Sequence, residues 1–207
     1  MSIKAVVFDF GNVICYPRSP ETWAELERLC GLSHETLEKL DRQYRGEFDR
    51  GTYDGAGYYR FLLAQAGISL DDNVLARLAR TDLDGWKHIN PGTVQLMRDV
   101  KALGLTLGIL SNMTHDCLAW ARDRIPFNEA DVAVYSCEYN IIKPEPEIYK
   151  ILQEKLGCNY NEIAFFDDIV DNIAMANKWG IQGFVWTRPE AARTQLVNLG
   201  LGLSAYD

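Results

Sequence analysis

Residues 5–13 read Ala-Val-Val-Phe-Asp-Phe-Gly-Asn-Val, an apolar run that stops abruptly at an aspartate. Residues 5–8 are apolar throughout rather than alternating with polar residues, which is typical of a β-strand covered on both faces. We therefore predict a buried strand over Ala5–Phe8. The same character recurs at residues 105–110, 163–166 and 183–186, and more weakly at residues 132–135.

Helical patterns separate these runs. Three segments, residues 91–104, 144–157 and 173–180, carry apolar side chains at helical spacing. The first two begin at a proline, and all three end at a glycine. Parallel neighbours in a sheet need a long connection to return the chain, and such crossovers are right-handed. The alternation therefore predicts an α/β fold with a doubly wound, Rossmann-like parallel sheet.

The long connection after the first strand breaks this alternation. Residues 15–86 contain no convincing strand but carry apolar faces at helical spacing, which predicts a small helical subdomain rather than a structureless loop. Ligands of open α/β sheets bind beyond the carboxyl ends of the strands. We therefore expect a cap of residues 15–86 above the site, and an α/β core of residues 1–14 and 87–207.

Composition narrows the class of protein. The chain has 207 residues, 47% of them hydrophobic, and a formal net charge of −8. This amount of apolar residue supports a globular core, and the negative charge disfavours nucleic acid and anionic membranes as partners. Five scattered cysteines without metal-ligand spacing, and the lack of a signal peptide or membrane span, predict a cytoplasmic protein with reduced thiols.

Polar side chains follow three of the predicted strands. Asp9 ends the first strand, residues 111–112 (Ser-Asn) end the second, and residues 167–168 (Asp-Asp) end a later one. Lys143 precedes a proline at the entry of a helix near the same edge. Because parallel strands end at one edge of the sheet, we expect three carboxylates, a hydroxyl and a lysine to meet in one pocket.

This group of residues predicts phosphoryl chemistry. Two carboxylates 4 Å apart repel by about 1 to 4 kcal/mol, depending on the local dielectric, and proton uptake or a hard cation relieves the repulsion. Oxygen ligands with open water positions suit Mg²⁺. A cation, a lysine and a hydroxyl together stabilise a transferring phosphoryl group, and a central carboxylate such as Asp9 can act as the nucleophile.

Four motifs in this order resemble the haloacid dehalogenase superfamily in its phosphatase branch. They lie at residues 8–13, 110–112, 143–149 and 166–172. The size and position of the insertion resemble the small helical cap of subfamily I. Among groups within the superfamily, the chain looks most similar to phosphatases of α-D-glucose 1-phosphate, and next to the N-terminal phosphatase domain of soluble epoxide hydrolases.

The resemblance implies a covalent mechanism. Asp9 is expected to attack phosphorus in line and form an aspartyl phosphate, while Lys143 offsets the charge on the nucleophile and the phosphate. Asn172 is expected to orient Lys143 or the acidic pair. The residues expected to hold the phosphoryl group are Phe10, Gly11, Ser111, Asn112 and Lys143.

The resemblance also implies a Mg²⁺ site. Asp9, Asp168 and the backbone carbonyl of Gly11 are its expected ligands, and Asp167 is expected to act as a further ligand or to support them.

Gly11 departs from the pattern of the family. Phosphatases of the superfamily usually carry a second aspartate at this position, which protonates the leaving oxygen and later activates water. General acid and base catalysis is typically worth about 10² to 10⁴ in rate, so another group must take this task or the enzyme must be slow. A cap residue such as His34 or Glu47, or the substrate itself, is a candidate.

The sequence thus predicts a Mg²⁺-dependent phosphomonoesterase for a small phosphorylated metabolite, with a sugar phosphate as the expected substrate. A catalytically weak or silent metabolite-binding relative is the main alternative, because of Gly11. A haloacid dehalogenase also lacks the second aspartate, but its chemistry needs no metal and no acidic pair. Receiver domains place their acidic pair after the first strand and have no cap. The oligomeric state stays open.

Overall fold

A computed structural model describes residues 2–204, and these residues contain a five-stranded, fully parallel sheet. The spatial order of the strands is β3-β2-β1-β4-β5, with helices on both faces, so the predicted doubly wound α/β fold is confirmed. Each predicted strand is present, with bounds that shift by one residue at most. The strands are β1 (Ala5–Phe8), β2 (Thr106–Ser111), β3 (Val132–Tyr135), β4 (Ile163–Asp167) and β5 (Gln182–Val185).

The helices begin and end at recognisable local signals. Prolines occupy the first turn of four of them, and glycines with positive φ follow two of them, at Gly31 and Gly157. A left-handed residue at that position lets the chain leave the helix while its amide still bonds to the last turn. The helices are α1 (Pro20–Cys30), α2 (His34–Asp49), α3 (Gly55–Ala64), α4 (Asp72–Gly85), α5 (Pro91–Ala102), α6 (His115–Ala121), α7 (Ser136–Tyr139), α8 (Pro146–Leu156), α9 (Val170–Lys178) and α10 (Pro189–Asn198).

The central strands are buried on both faces, as their composition predicts. In β1, Val6 and Phe8 pack into the apolar cluster on one face of the sheet, whereas Val7 packs into the cluster on the other. The prediction of two covered faces is wrong for β5, where Val185 is 40% exposed. This strand forms one edge of the sheet, so it has a neighbour on one side only.

The insertion is helical, as predicted, and is built from α1 to α4. These helices enclose an apolar cluster of their own, with Leu26, Tyr58 and Leu78 fully buried. An isolated antiparallel bridge between Cys15 and Ile89 lies where the chain leaves the sheet and returns to it. The exact division of the chain into a cap and a core stays a prediction.

Two further findings concern the rest of the described chain. All five cysteines carry free thiols, and four of them are buried, which agrees with packing thiols. Among the helices of residues 2–204, none combines the length and the apolar character needed to cross a bilayer.

Candidate active site

Asp9 lies where β1 ends. Its amide still donates to the carbonyl of Phe166 in β4 at 2.9 Å, so the hydrogen bonding of the sheet extends to this residue. Residues Phe10–Ile14 then form a short π-helical turn that leads the chain away from the strand. The Asp9 side chain is buried at the carboxyl edge of the sheet, where the surrounding residues restrict its position.

Asn12 connects this turn to Asp168. It adopts a φ of 58°, in the left-handed region that asparagine tolerates better than most residues. From there its side-chain amide donates to Oδ2 of Asp168 at 2.7 Å. Asp168 follows β4, next to β1 in the sheet, so the Asn12 amide joins two neighbouring strand ends. Asn12 was not among the predicted site residues.

Lys143 is the cation of the site. Its Nζ lies 2.8 Å from Oδ1 of Asp9 and 2.6 Å from Oδ2 of Asp167, and it donates to the carbonyl of Leu110 at 3.0 Å. Burial disfavours the charged amine, but the two carboxylates raise the pKa of Lys143 above its usual value. Asn112 holds the loop in place, because its Oδ1 accepts from the Lys143 amide and its Nδ2 donates to the Lys143 carbonyl.

Asp167 is fully buried, and its lone pairs are occupied by protein donors. Besides the Lys143 amine, it accepts the amide of Ile169 at 2.8 Å and the side-chain amide of Asn172 at 2.9 Å and 3.0 Å. Asn172 thus contacts the acidic pair through Asp167, one of the two possibilities that the sequence left open. This environment suits a carboxylate that positions Lys143.

The three carboxyl groups stand close together. One oxygen from each of Asp9, Asp167 and Asp168 lies within 4.8 Å of the others. Burial raises the pKa of Asp9 to about 7; Lys143 opposes this rise, and the two other carboxylates add to it. Burial also raises the pKa of Asp168. The crowded negative charge would be relieved by a proton or by a divalent cation.

The donor set fits a hard cation. Asp9, Asp168 and Gly11 line the same cavity and offer oxygen atoms only, which is the ligand type of Mg²⁺. Asp167 lies behind them and does not line this cavity. Of the two roles expected for Asp167, support of the ligands therefore agrees better with the geometry than direct ligation.

A cavity of about 190 Å³ lies above these groups, between the sheet edge and the cap. Phe10, Asn112 and Lys143 line it, as expected for residues that contact a phosphoryl group. Ser111 is buried but does not line the cavity, and its hydroxyl donates to the Asn112 carbonyl at 3.3 Å. Ser111 therefore stands at the predicted strand end without presenting its hydroxyl to the cavity.

The cap contributes Arg45 and Asp49 to the cavity, which sequence reasoning missed. Both lie on α2, a helix that the apolar pattern did not predict because its sequence is rich in charged residues. Together with Asp41 they follow an i, i+4 spacing, which places their side chains on one face of a helix. That spacing is the signal that could have revealed them.

The two cap residues proposed to replace the missing aspartate lie elsewhere. His34 contacts Glu27 at 2.9 Å and packs edge-on against Trp23 on the outside of the cap. Glu47 is exposed and accepts from the Thr52 hydroxyl. Neither residue lines the cavity.

Comparisons with known proteins agree with this geometry. Residues 3–180 match the haloacid dehalogenase-like hydrolase family. The chain belongs to that family. The match covers β1 to β4, the cap and all the motifs at the carboxyl edge, so the chain is a hydrolase by family, and the fold expected from the resemblance is confirmed.

Individual haloacid dehalogenase-like relatives differ in their chemistry. Phosphatase MT3486 of Mycobacterium tuberculosis is 27% identical, over 95% of this chain and 93% of its own. An (S)-2-haloacid dehalogenase of Pseudomonas putida is 28% identical, over 86% and 82%. A family enzyme of Bacteroides thetaiotaomicron, solved with magnesium and inorganic phosphate, shares the fold with a TM-score of 0.69 at 20% identity, over 90% of this chain and 96% of its own. The expected similarity to glucose-1-phosphate phosphatases stays a prediction.

Gly11 stands where the resemblance to the haloacid dehalogenase superfamily expects an aspartate, and the indole ring of Trp86 lies next to it. A Cβ built on Gly11 would lie 3.5 Å from the indole ring of Trp86, an ordinary van der Waals contact. The backbone therefore has room for a Cβ, and the indole ring is the group nearest to it. Trp86 thus borders the position at which the resemblance expects a second carboxylate.

Proposed function

We propose that this protein is a Mg²⁺-dependent phosphomonoesterase that acts on a small phosphorylated metabolite through an aspartyl phosphate on Asp9. The observation that carries the proposal is the shared cavity of Asp9 and Asp168, with Lys143 paired to Asp9 at 2.8 Å. Nucleophile, cation and metal-ligating oxygen thus face one small space. Bound Mg²⁺ would supply positive charge for the oxygens of the phosphoryl group.

The residues of the chain support two successive displacements. In the first, an oxygen of Asp9 attacks phosphorus, and the bond to the leaving oxygen breaks with its electron pair on that oxygen. In the second, water attacks the phosphorus of the aspartyl phosphate, and the bond to Asp9 breaks to release inorganic phosphate. Lys143 would offset negative charge in both steps, because its amine lies 2.8 Å from Asp9.

The charge of the site favours a phosphatase over a dehalogenase. Both chemistries occur among relatives of similar identity, so identity does not discriminate between them. Asp168 places an additional carboxylate on the wall of the cavity next to Asp9. This negative charge would oppose the departure of a halide, whereas a divalent cation bound there would favour attack on a phosphoryl group.

The cavity supports a small substrate. Its volume of about 190 Å³ and its closure by the cap leave room for a compact metabolite rather than a polymer. Trp86 offers an aromatic face and Arg45 a guanidinium on the cap side of this space. Aromatic rings pack against the apolar faces of sugars, and guanidinium groups bind hydroxyl or anionic groups, so we propose a sugar phosphate.

A substrate screen tests the proposal. Phosphate release from a panel of phosphorylated metabolites, and halide release from 2-haloacids, are measured with the wild type and with Asp9→Asn. We expect phosphate release that Asp9→Asn reduces to background. Asp171→Asn makes the same chemical change at an exposed position of α9 and should keep full activity.

Two outcomes would contradict the proposal. Halide release without phosphate release would identify a dehalogenase. No release of either product would favour the silent metabolite-binding alternative.

A further inference from the structure

We propose that Asp49 of the cap is the general acid and base of this site, in place of the side chain that Gly11 lacks. This assignment rests on the proposed phosphatase function. Asp49 lines the cavity that holds Asp9 and is the one carboxyl group that the cap, within residues 15–86, contributes to its lining.

The backbone anchors Asp49 to the core. Its carbonyl accepts the hydroxyl of Ser136 at 2.5 Å, and that hydroxyl accepts the amide of Met113 at 2.8 Å. These two residues lie just after β3 and β2, so Asp49 is tied to the carboxyl edge of the sheet. The next residue, Arg50, forms an ion pair with Glu145 at the entry of α8. The carboxyl group therefore stands at a defined place above the cavity floor.

Asp49 also belongs to a buried ion-pair network that has one acid too many. The guanidinium groups of Arg18 and Arg45 face three carboxyl groups, those of Asp41, Asp49 and Asp82. Two cations balance only two carboxylates, and burying a further unpaired charge is costly. The network is therefore neutral when one of the three acids carries a proton.

The hydrogen bonds indicate which acid carries that proton. Asp82 accepts from Arg18 and Arg45 at 2.9 Å through its two oxygens, and Asp41 accepts from Arg18 and from the Tyr58 hydroxyl. Oδ1 of Asp49 accepts from Nε of Arg45 at 3.1 Å, whereas its Oδ2 has no hydrogen-bond partner among residues 2–204. The proton belongs on this unengaged oxygen.

The electrostatics agree with the hydrogen bonds. Burial raises the pKa of Asp49 to about 6; Arg45 opposes this rise, and Asp41 and Asp82 contribute to it. The pKa of Asp41, in contrast, is lowered, because its two arginine partners outweigh burial. Other titratable groups that interact with Asp49 are the thiols of Cys117 on α6 and Cys137 on α7, whose own pKa values burial raises. An acid near pKa 6 is suited to exchange a proton near neutral pH.

The proton balance of the reaction follows from this position. As the phosphorus bond to the leaving oxygen breaks, Asp49 gives its proton to that oxygen and becomes a carboxylate. It then takes a proton from the water that attacks the aspartyl phosphate on Asp9. The hydroxide oxygen ends in inorganic phosphate, and Asp49 is again protonated for the next turnover.

Leaving-group dependence distinguishes a proton donor from a structural residue. We would measure kcat/KM of the wild type and of Asp49→Asn with substituted phenyl phosphates, from phenyl to p-nitrophenyl phosphate. A p-nitrophenolate leaves without protonation, whereas a phenolate needs it. We expect Asp49→Asn to lose about 10² to 10³ with phenyl phosphate and less than about tenfold with p-nitrophenyl phosphate.

Glu38→Gln is the matched control, because it changes an exposed acid of the same helix to an amide. It should leave the whole series unchanged. A second measurement needs no variant: with the wild type, rates for phenyl phosphate should fall as the pH rises above the pKa of Asp49, and rates for p-nitrophenyl phosphate should not.

The outcomes separate the two proposals. Equal losses across the series, no loss at all, or the same pH profile for both esters would overturn the assignment of Asp49 and leave the phosphatase function in place. A wild type that hydrolyses none of the esters in the presence of Mg²⁺ would overturn the phosphatase function and the assignment with it.

Discussion

Replacing Lys143 by methionine would remove the only cation that contacts Asp9 in the described chain while keeping an unbranched side chain of similar length. The amine stands between Asp9 and Asp167 at 2.8 Å and 2.6 Å, and all three side chains are buried. Removing one partner of a buried ion pair costs about 3 to 5 kcal/mol, because the other partner stays buried and unpaired. We expect Lys143→Met to lower the free energy of unfolding by this amount at pH 8.

The loss should depend on pH. Without the amine, the pKa of Asp9 in the folded state rises further above its unfolded value, so the folded variant binds protons more readily than the unfolded chain. Its stability therefore falls as the pH rises, and it recovers as the pH is lowered toward 5 and Asp9 is protonated.

Urea unfolding at pH 5, 6, 7 and 8, followed by tryptophan fluorescence, measures this effect. Lys150→Met is the matched control, because Lys150 is an exposed lysine of α8 whose ion pair to Glu154 spans 3.8 Å. A loss below about 1 kcal/mol at pH 8, or a loss independent of pH, would refute the role of Lys143 as the compensating charge, since exposed pairs contribute no more than this.

Three further results are expected. Mg²⁺ affinity of the wild type, measured calorimetrically, should fall by up to about tenfold per unit as the pH drops below 7, because protons compete for Asp9; an affinity constant from pH 8 to 5 would contradict this. Asn12→Ala should weaken Mg²⁺ binding about 10- to 100-fold, since Asp168 loses the amide that orients it, and an unchanged affinity would exclude that role. Asp82→Asn should lower the free energy of unfolding by about 1 to 3 kcal/mol, because two arginines lose hydrogen bonds to a shared carboxylate while Asp41 and Asp49 still balance their charge, whereas exposed Asp84→Asn should have little effect in the same urea titration.

The predicted strands illustrate what local sequence encodes well. Strands β1, β2 and β4 lie inside the sheet and are almost wholly buried, and a run of apolar residues that ends in an aspartate or serine predicts this burial directly. β5 has a similar composition, but its place at the edge depends on the order of strands, which no single run contains. Helix α2 escaped prediction for a related reason: its buried face carries Asp41 beside Leu37 and Phe48, so the apolar pattern is interrupted.

The meeting of Asp9, Asp168 and Lys143 was determined by the sequence alone. Each follows from a motif at a strand end or a helix entry, and parallel strands must end at the same edge of their sheet. The tertiary structure decided which lone pairs remain available there. It commits Asp167 to Lys143 and Asn172, and it engages the Ser111 hydroxyl with the Asn112 carbonyl.

Only the tertiary structure decided which part of the cap faces the nucleophile. Asp49, His34 and Glu47 are all acidic or titratable residues of one helix, and nothing in their order along the chain ranks them. The ion pair of Arg45 on α2 with Asp82 on α4, and the bonds of the carboxyl end of α2 to the core, place Asp49 in the cavity and leave the other two outside. The strand ends converge because parallel strands run in the same direction and end at one edge of the sheet. Which cap residue comes close to the nucleophile depends instead on contacts between segments that are distant in sequence.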